Sequence, residues 1–170
     1  MQPKRAFTVC IFSFIVMIFM TPGTAAQNSI TISGSNTVDL VFTKPFSAGS
    51  SLSQAIDDSK WLNYNILVIP PITNYSITAY LESGTIPEGT SVQVRAGACQ
   101  GSVGGTPGIS AGQVTLSSTP QVIISNIGTC NTGIGLYTGH QITYTITIDD
   151  YSSAKAAYGT MNILFSIQQQ

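Results

Sequence analysis

The chain has 170 residues, only 8% of them charged, and a formal net charge of −1. Ordinary globular domains carry roughly 25% charged residues, so this one must build its polar surface from Ser, Thr, Gly and Asn. The few Lys and Arg are dispersed, so no basic face can neutralise phosphates, which sets nucleic-acid binding aside.

Lys4 and Arg5 precede an apolar run from Phe7 to Met20, and Thr21 to Ala26 supplies small residues suited to signal peptidase. Residues 1–26 therefore read as a signal peptide and 27–170 as one domain beginning at Gln27, with the periplasm, cell surface or exterior as destination. Cys10 lies inside the apolar run, which argues against lipoprotein processing. Beyond Gln27 nothing approaches the ~18 apolar residues that span a bilayer, so no membrane span is expected in the mature chain. Export leaves Lys44, Lys60, Arg95 and Lys155 against all seven Asp and Glu.

From Ile30 onward the apolar residues repeat with period two and β-branched residues are frequent, both marks of half-buried strands. The expected strands are 29–33, 38–43, 64–69, 75–81, 91–96, 113–117, 121–125, 141–148 and 160–167. Turn residues separate many of them: Ser33-Gly-Ser-Asn36, Pro70-Pro71, Pro87-Glu-Gly89 and Ser117-Ser-Thr-Pro120. The clearest strand is 141–148, where Ile142, Tyr144, Ile146 and Ile148 share one face and Thr143, Thr145 and Thr147 the other. One short helix is expected at 51–60, where a serine cap precedes Leu52, Ala55 and Ile56. Eight or nine short strands without crossover helices indicate an all-β, antiparallel, immunoglobulin-like sandwich, with a closed barrel as the alternative. Trp61, beside Leu62 and Tyr64, reads as a core residue.

Two cysteines, Cys99 and Cys130, follow Gln27, and an even count in an exported chain reads as a disulfide. Closing a loop of this length stabilises by roughly 3 to 4 kcal/mol in the chain-entropy model. The bond would tie together two Gly- and Thr-rich loops, 97–112 and 126–139, at one end of the sandwich. Asn131, Thr132, Tyr137, Thr138 and His140 would then line a shallow polar and aromatic site suited to a glycan. No catalytic set, cofactor or metal site is expected. Glu82 and Glu88 flank an exposed hairpin tip, the Asp57-Asp58 and Asp149-Asp150 pairs lack calcium-loop spacing, and no Gly-x-Ser-x-Gly elbow accompanies His140.

The export segment, the alternating Ile30-Thr-Ile32, the stretch from Ile77 to Val92 and the closing strand from Tyr158 to Ile167 together resemble subunits of chaperone-usher surface fibres and the related spore-coat-U-like secreted proteins. The chain departs from that pattern in its central cysteines and its Gln168-Gln-Gln170 tail. The resemblance implies a pilin-like structural or adhesion subunit of a fimbrium or pilus, with like subunits or a periplasmic chaperone as partners. In such assemblies an extended segment, here carrying Ile30 and Ile32, adds a strand to a neighbour. The alternative expectation is a stand-alone carbohydrate-binding or adhesive module.

Overall fold

Alternation of apolar and polar residues sends every second side chain to one face of a strand, and this chain converts that pattern into two packed antiparallel sheets. A computed structural model describes residues 28–35, 37–38, 40, 54–101, 103–153 and 161–170. Its strands are β1 (Ser29–Ser33), β2 (Ala55–Ile66), β3 (Tyr75–Ser83), β4 (Thr90–Gln100), β5 (Gly104–Gly105), β6 (Ile109–Ser110), β7 (Gln113–Thr115), β8 (Gln121–Ile127), β9 (Cys130–Asn131), β10 (Gly139–Ile148) and β11 (Asn162–Gln169). One sheet has the order β5-β9-β2-β10-β4-β7 with β1 added to β2, and the other the order β11-β3-β8-β6. The architecture is a β-sandwich, not a closed barrel. The strands outnumber the sequence estimate because the Gly-rich stretches contribute the two-residue pieces β5, β6 and β9.

The register explains those short pieces. Leu62 of β2 pairs with Ile32 on one side and His140 on the other, while Asn65 pairs with Ser29 and Asn131. β9 and β10 therefore lie end to end along one edge of β2, as β5 and β4 do one position further out. Between the members of each pair the chain leaves the sheet.

Leu62, Tyr64 and Ile66 of β2 point into the core, where they meet Ile77, Val94 and Ile142 from β3, β4 and β10. Ile142, Tyr144 and Ile146 are buried, as the alternation in β10 required. Ile30 and Ile32 of β1, and Ile163 and Phe165 of β11, pack against this core from the margin. Among the described residues no helix is long and apolar enough to cross a membrane.

The helix expected at 51–60 is corrected. Ala55 to Lys60 form the first half of β2, and residues 51–53 lie outside the described residues. The misleading signal is a β-bulge. β10 pairs Ile142 with Lys60 but Tyr144 with Asp57, so Asp58 and Ser59 of β2 oppose Thr143 alone in β10. The extra residue reverses the inside-outside alternation, burying Ala55 and exposing Ile56, and the resulting spacing imitates a helical face. Asp57 stabilises the bulge by accepting bonds from the Ser59 amide (2.8 Å) and hydroxyl (2.6 Å), and it pairs with Lys60 Nζ at 3.5 Å. Burial opposes ionisation of Asp57, but the Ser59 hydroxyl and amide and the Lys60 ammonium together hold its carboxyl below the usual range. In the expected strand at 38–43, Val38 and Leu40 are packed against the core outside any strand. The remaining positions lie outside the described residues.

Candidate functional site

β1 pairs with Tyr64 on one side of β2, but on the other side the gap between β9 and β10 leaves the Tyr64 amide and carbonyl without a strand partner, and Thr132 supplies one. Its amide donates to Tyr64 O (3.0 Å), and its hydroxyl accepts from the Tyr64 amide (2.8 Å). Thr132 is fully buried and completes the ladder. On the outer face of the same strand sits Asn63, also buried. Its Nδ2 donates to Ser33 Oγ (3.1 Å) and Gly135 O (3.0 Å), while its Oδ1 accepts from Thr138 Oγ1 (2.8 Å). A buried amide with each polar group bonded fixes its surroundings. Asn63 thereby pins the excursion 132–138 across the sheet. The fold continues to Tyr137, whose ring packs on Trp61 at 5.6 Å between centroids. Trp61 is buried, as expected, but beneath this excursion and outside the main core cluster.

His140 lies at the start of β10 beneath this surface. Its Nδ1 is 2.8 Å from Gly97 O, and a carbonyl only accepts, so the neutral ring carries its proton on Nδ1. Nε2 then accepts from Tyr64 Oη at 2.9 Å, and the two rings stack at 5.8 Å. Pro107 O also only accepts, so Nε2 and this carbonyl share the single phenol proton. Burial lowers the His140 pKa, against the opposing pull of the Gly97 and Pro107 carbonyls. Burial also raises that of Tyr64, with smaller contributions from Cys130 and Cys99.

Both cysteines are thiols in this structure, not the expected disulfide. Cys99 pairs across the ladder with His140, and Cys130 with Gly105 and Ile66, so the two occupy different rungs and are not direct cross-strand partners. They remain close enough to interact. Burial pushes the Cys130 thiol up to about 11, with Cys99 adding to the shift. Burial raises Cys99 as well, so neither is poised as a thiolate nucleophile. Cys99, His140, Gly108 and Ile109 line a shallow cleft of about 550 Å³ between β4 and β6.

A larger cleft, about 670 Å³, opens where the margins of the two sheets meet. Ile32, Val38, Leu40, Val92, Ile163 and Phe165 provide its apolar wall, with Lys60 and Glu82 among its polar lining residues. β1 and β11 border it, each at an edge of its sheet.

Of the five residues expected to line a ligand loop, only Asn131 and Tyr137 are exposed. Thr132 and His140 are buried, and Thr138 is half-buried with its hydroxyl on Asn63. The structure therefore does not present all five on one open face, because the polar groups of Thr132, Thr138 and His140 are bonded within the fold. Sequence reasoning missed Asn63 and Tyr64, which organise the region from β2. Their signal was the run of polar and aromatic residues at 63–65, set between the apolar Trp61-Leu62 and Ile66 in β2. No family model, curated protein or solved structure matches the chain.

Proposed function

We propose that the chain is an exported, non-enzymatic subunit of a surface structure or adhesive fibre, pilin-like in plan. The observation that supports this most is the apolar cleft between β1 and β11. An extended segment laid along such an edge extends the sheet through backbone bonds and fills the cleft with alternate side chains. β1 pairs with its own β2 over five residues, so complementation by this segment takes the form of exchange with the same strand of a neighbour, which recreates existing contacts. Ile30 and Ile32 are the side chains that would be exchanged.

Electron microscopy and size-exclusion chromatography of the exported protein test the proposal. Wild type is expected to form polymers, and Ile30→Asp with Ile32→Asp to prevent them. A monodisperse wild-type monomer under all conditions rejects it. The second reading, a carbohydrate-binding module, draws support from the exposed Tyr137 ring backed by Trp61. A glycan-array signal lost in Tyr137→Ala would favour it.

A further inference from the structure

β1 and the excursion 132–138 meet on one buried side chain. Asn63 of β2 is 1% exposed, and its carboxamide has one donor hydrogen for each of them. One goes to Ser33 Oγ at the end of β1 (3.1 Å), the other to Gly135 O in the excursion (3.0 Å), while Oδ1 accepts from Thr138 Oγ1 (2.8 Å). A carbonyl only accepts, so Gly135 O fixes which way round the amide lies. A second contact runs beside the first. Trp61 pairs with Ser33 across the ladder of β1 and β2, and its ring carries Tyr137 of the excursion at 5.6 Å. Tyr137 itself has φ +65°, a left-handed conformation that a bulky residue keeps only where its surroundings hold it.

We infer that Asn63 is a conformational coupler, which makes the order of the 132–138 excursion depend on a β1 strand seated on β2, and the seating of β1 depend on the excursion. The shared amide is the reason. With β1 in place Asn63 is shut away from water, and its bonds to Gly135 and Thr138 act at low local dielectric, where they are strong. Departure of β1 removes Ser33 and admits water to that side of the amide, so the remaining bonds must compete with hydration. Tyr137 loses support in the same event, because the rung that holds Trp61 opens. Coupling between two sites is reciprocal, so loosening the excursion also loosens β1. The inference deepens the subunit reading and rests on it for its use. A subunit whose β1 place is empty holds the excursion loosely, and a neighbour's β1, bringing the same serine, restores it. The excursion presents Ile134, 88% exposed, and Tyr137, 74% exposed, so strand exchange would also set the order of an outward-facing surface.

Amide hydrogen exchange of the full exported protein, read by mass spectrometry, tests the coupling because it resolves local opening segment by segment. Ser33→Ala alters β1 alone and is expected to speed exchange of the 132–138 amides about fivefold, the effect of losing one hydrogen bond. Thr138→Val keeps the side-chain shape, alters the excursion alone, and is expected to speed exchange of the β1 amides by a similar factor. Ser29→Ala, at an exposed position at the other end of β1, should change neither segment. Effects confined to the substituted segment overturn the inference, since Asn63 would then be two independent ties. So does a uniform rise that includes β3 and β8, which is a loss of global stability and not a link between two segments. Electron microscopy of the same samples separates the two readings. Crossed effects in a protein that never polymerises keep the coupler and remove the subunit reading. Fibres from a protein whose two segments exchange independently keep the subunit reading and remove the coupler.

Discussion

His140 shows how burial can reverse what a residue type suggests. A histidine in a polar, Gly-rich stretch invites a binding role, yet here it is sealed between Gly97 O and the Tyr64 phenol. Its folded pKa lies below the ordinary 6.5, first because of burial. The unfolded chain therefore takes up the proton first as pH falls. The associated stability is full above about pH 6.5 and declines as pH drops through that value toward the folded pKa. Denaturant titrations at about pH 7.5 and pH 5 should show wild type losing stability on acidification. His140→Gln should be weaker at both pH values but should lose less between them. Equal losses in both proteins would assign the acid sensitivity elsewhere. Asp57, whose pKa is also lowered, acts in a separate window: its contribution is lost only as pH falls below its ordinary 3.8.

At the scale of elements, the excursion 132–138 depends on how the chain re-enters β10. Gly139 has φ +73°, and a Cβ there would stand 2.2 Å from Leu62 O. Gly139→Ala therefore combines left-handed strain, about 1 to 3 kcal/mol, with a clash against the backbone of β2. Gly104, whose added Cβ would meet nothing within 4 Å, is the control. Chemical denaturation should place Gly139→Ala at least about 2 kcal/mol below wild type and Gly104→Ala close to it; equal midpoints would show that the re-entry tolerates a side chain.

The same element marks how far the sequence could be read. β1, β3, β10 and β11 were legible because their period-two pattern faces one core, and all four appear near the expected bounds. β2 was half legible: the bulge at Asp57 to Lys60 broke the alternation and gave a helical spacing. The binding loop was misread for a different reason. Thr132, Thr138 and His140 have the composition of an exposed loop, and only long-range pairing with Asn63 and Tyr64 reveals that their polar atoms complete backbone and side-chain bonds inside the fold.

For the molecule as a whole, the decisive variable is the compartment, because the proposed export would set both where the mature chain starts and the state of its thiols. Cleavage at the proposed Ala26–Gln27 junction would place the new terminus one residue before Asn28, whose Oδ1 accepts from the Leu67 amide at 2.8 Å and ties the start of β1 to the chain just beyond β2. Cleavage there would leave β1 whole. In an oxidising compartment, thiol–disulfide exchange with an oxidoreductase disulfide would remove a proton from each of Cys99 and Cys130 and pass two electrons to the oxidant. The bond would join β4 to β9 across the break between the end-to-end strand pairs, and so fasten the 132–138 excursion at its base. One intact-mass measurement on the exported protein reads both events. The expected mass is that of Gln27 to Gln170, less the two thiol hydrogens, and less ammonia wherever the terminal glutamine has cyclised. Reduction and alkylation in denaturant should then add two labels that were refused without reductant. A mass retaining Met1 to Ala26 removes the export argument. Two labels taken up in denaturant before reduction instead keep the compartment and establish the thiol pair of this structure as the native state.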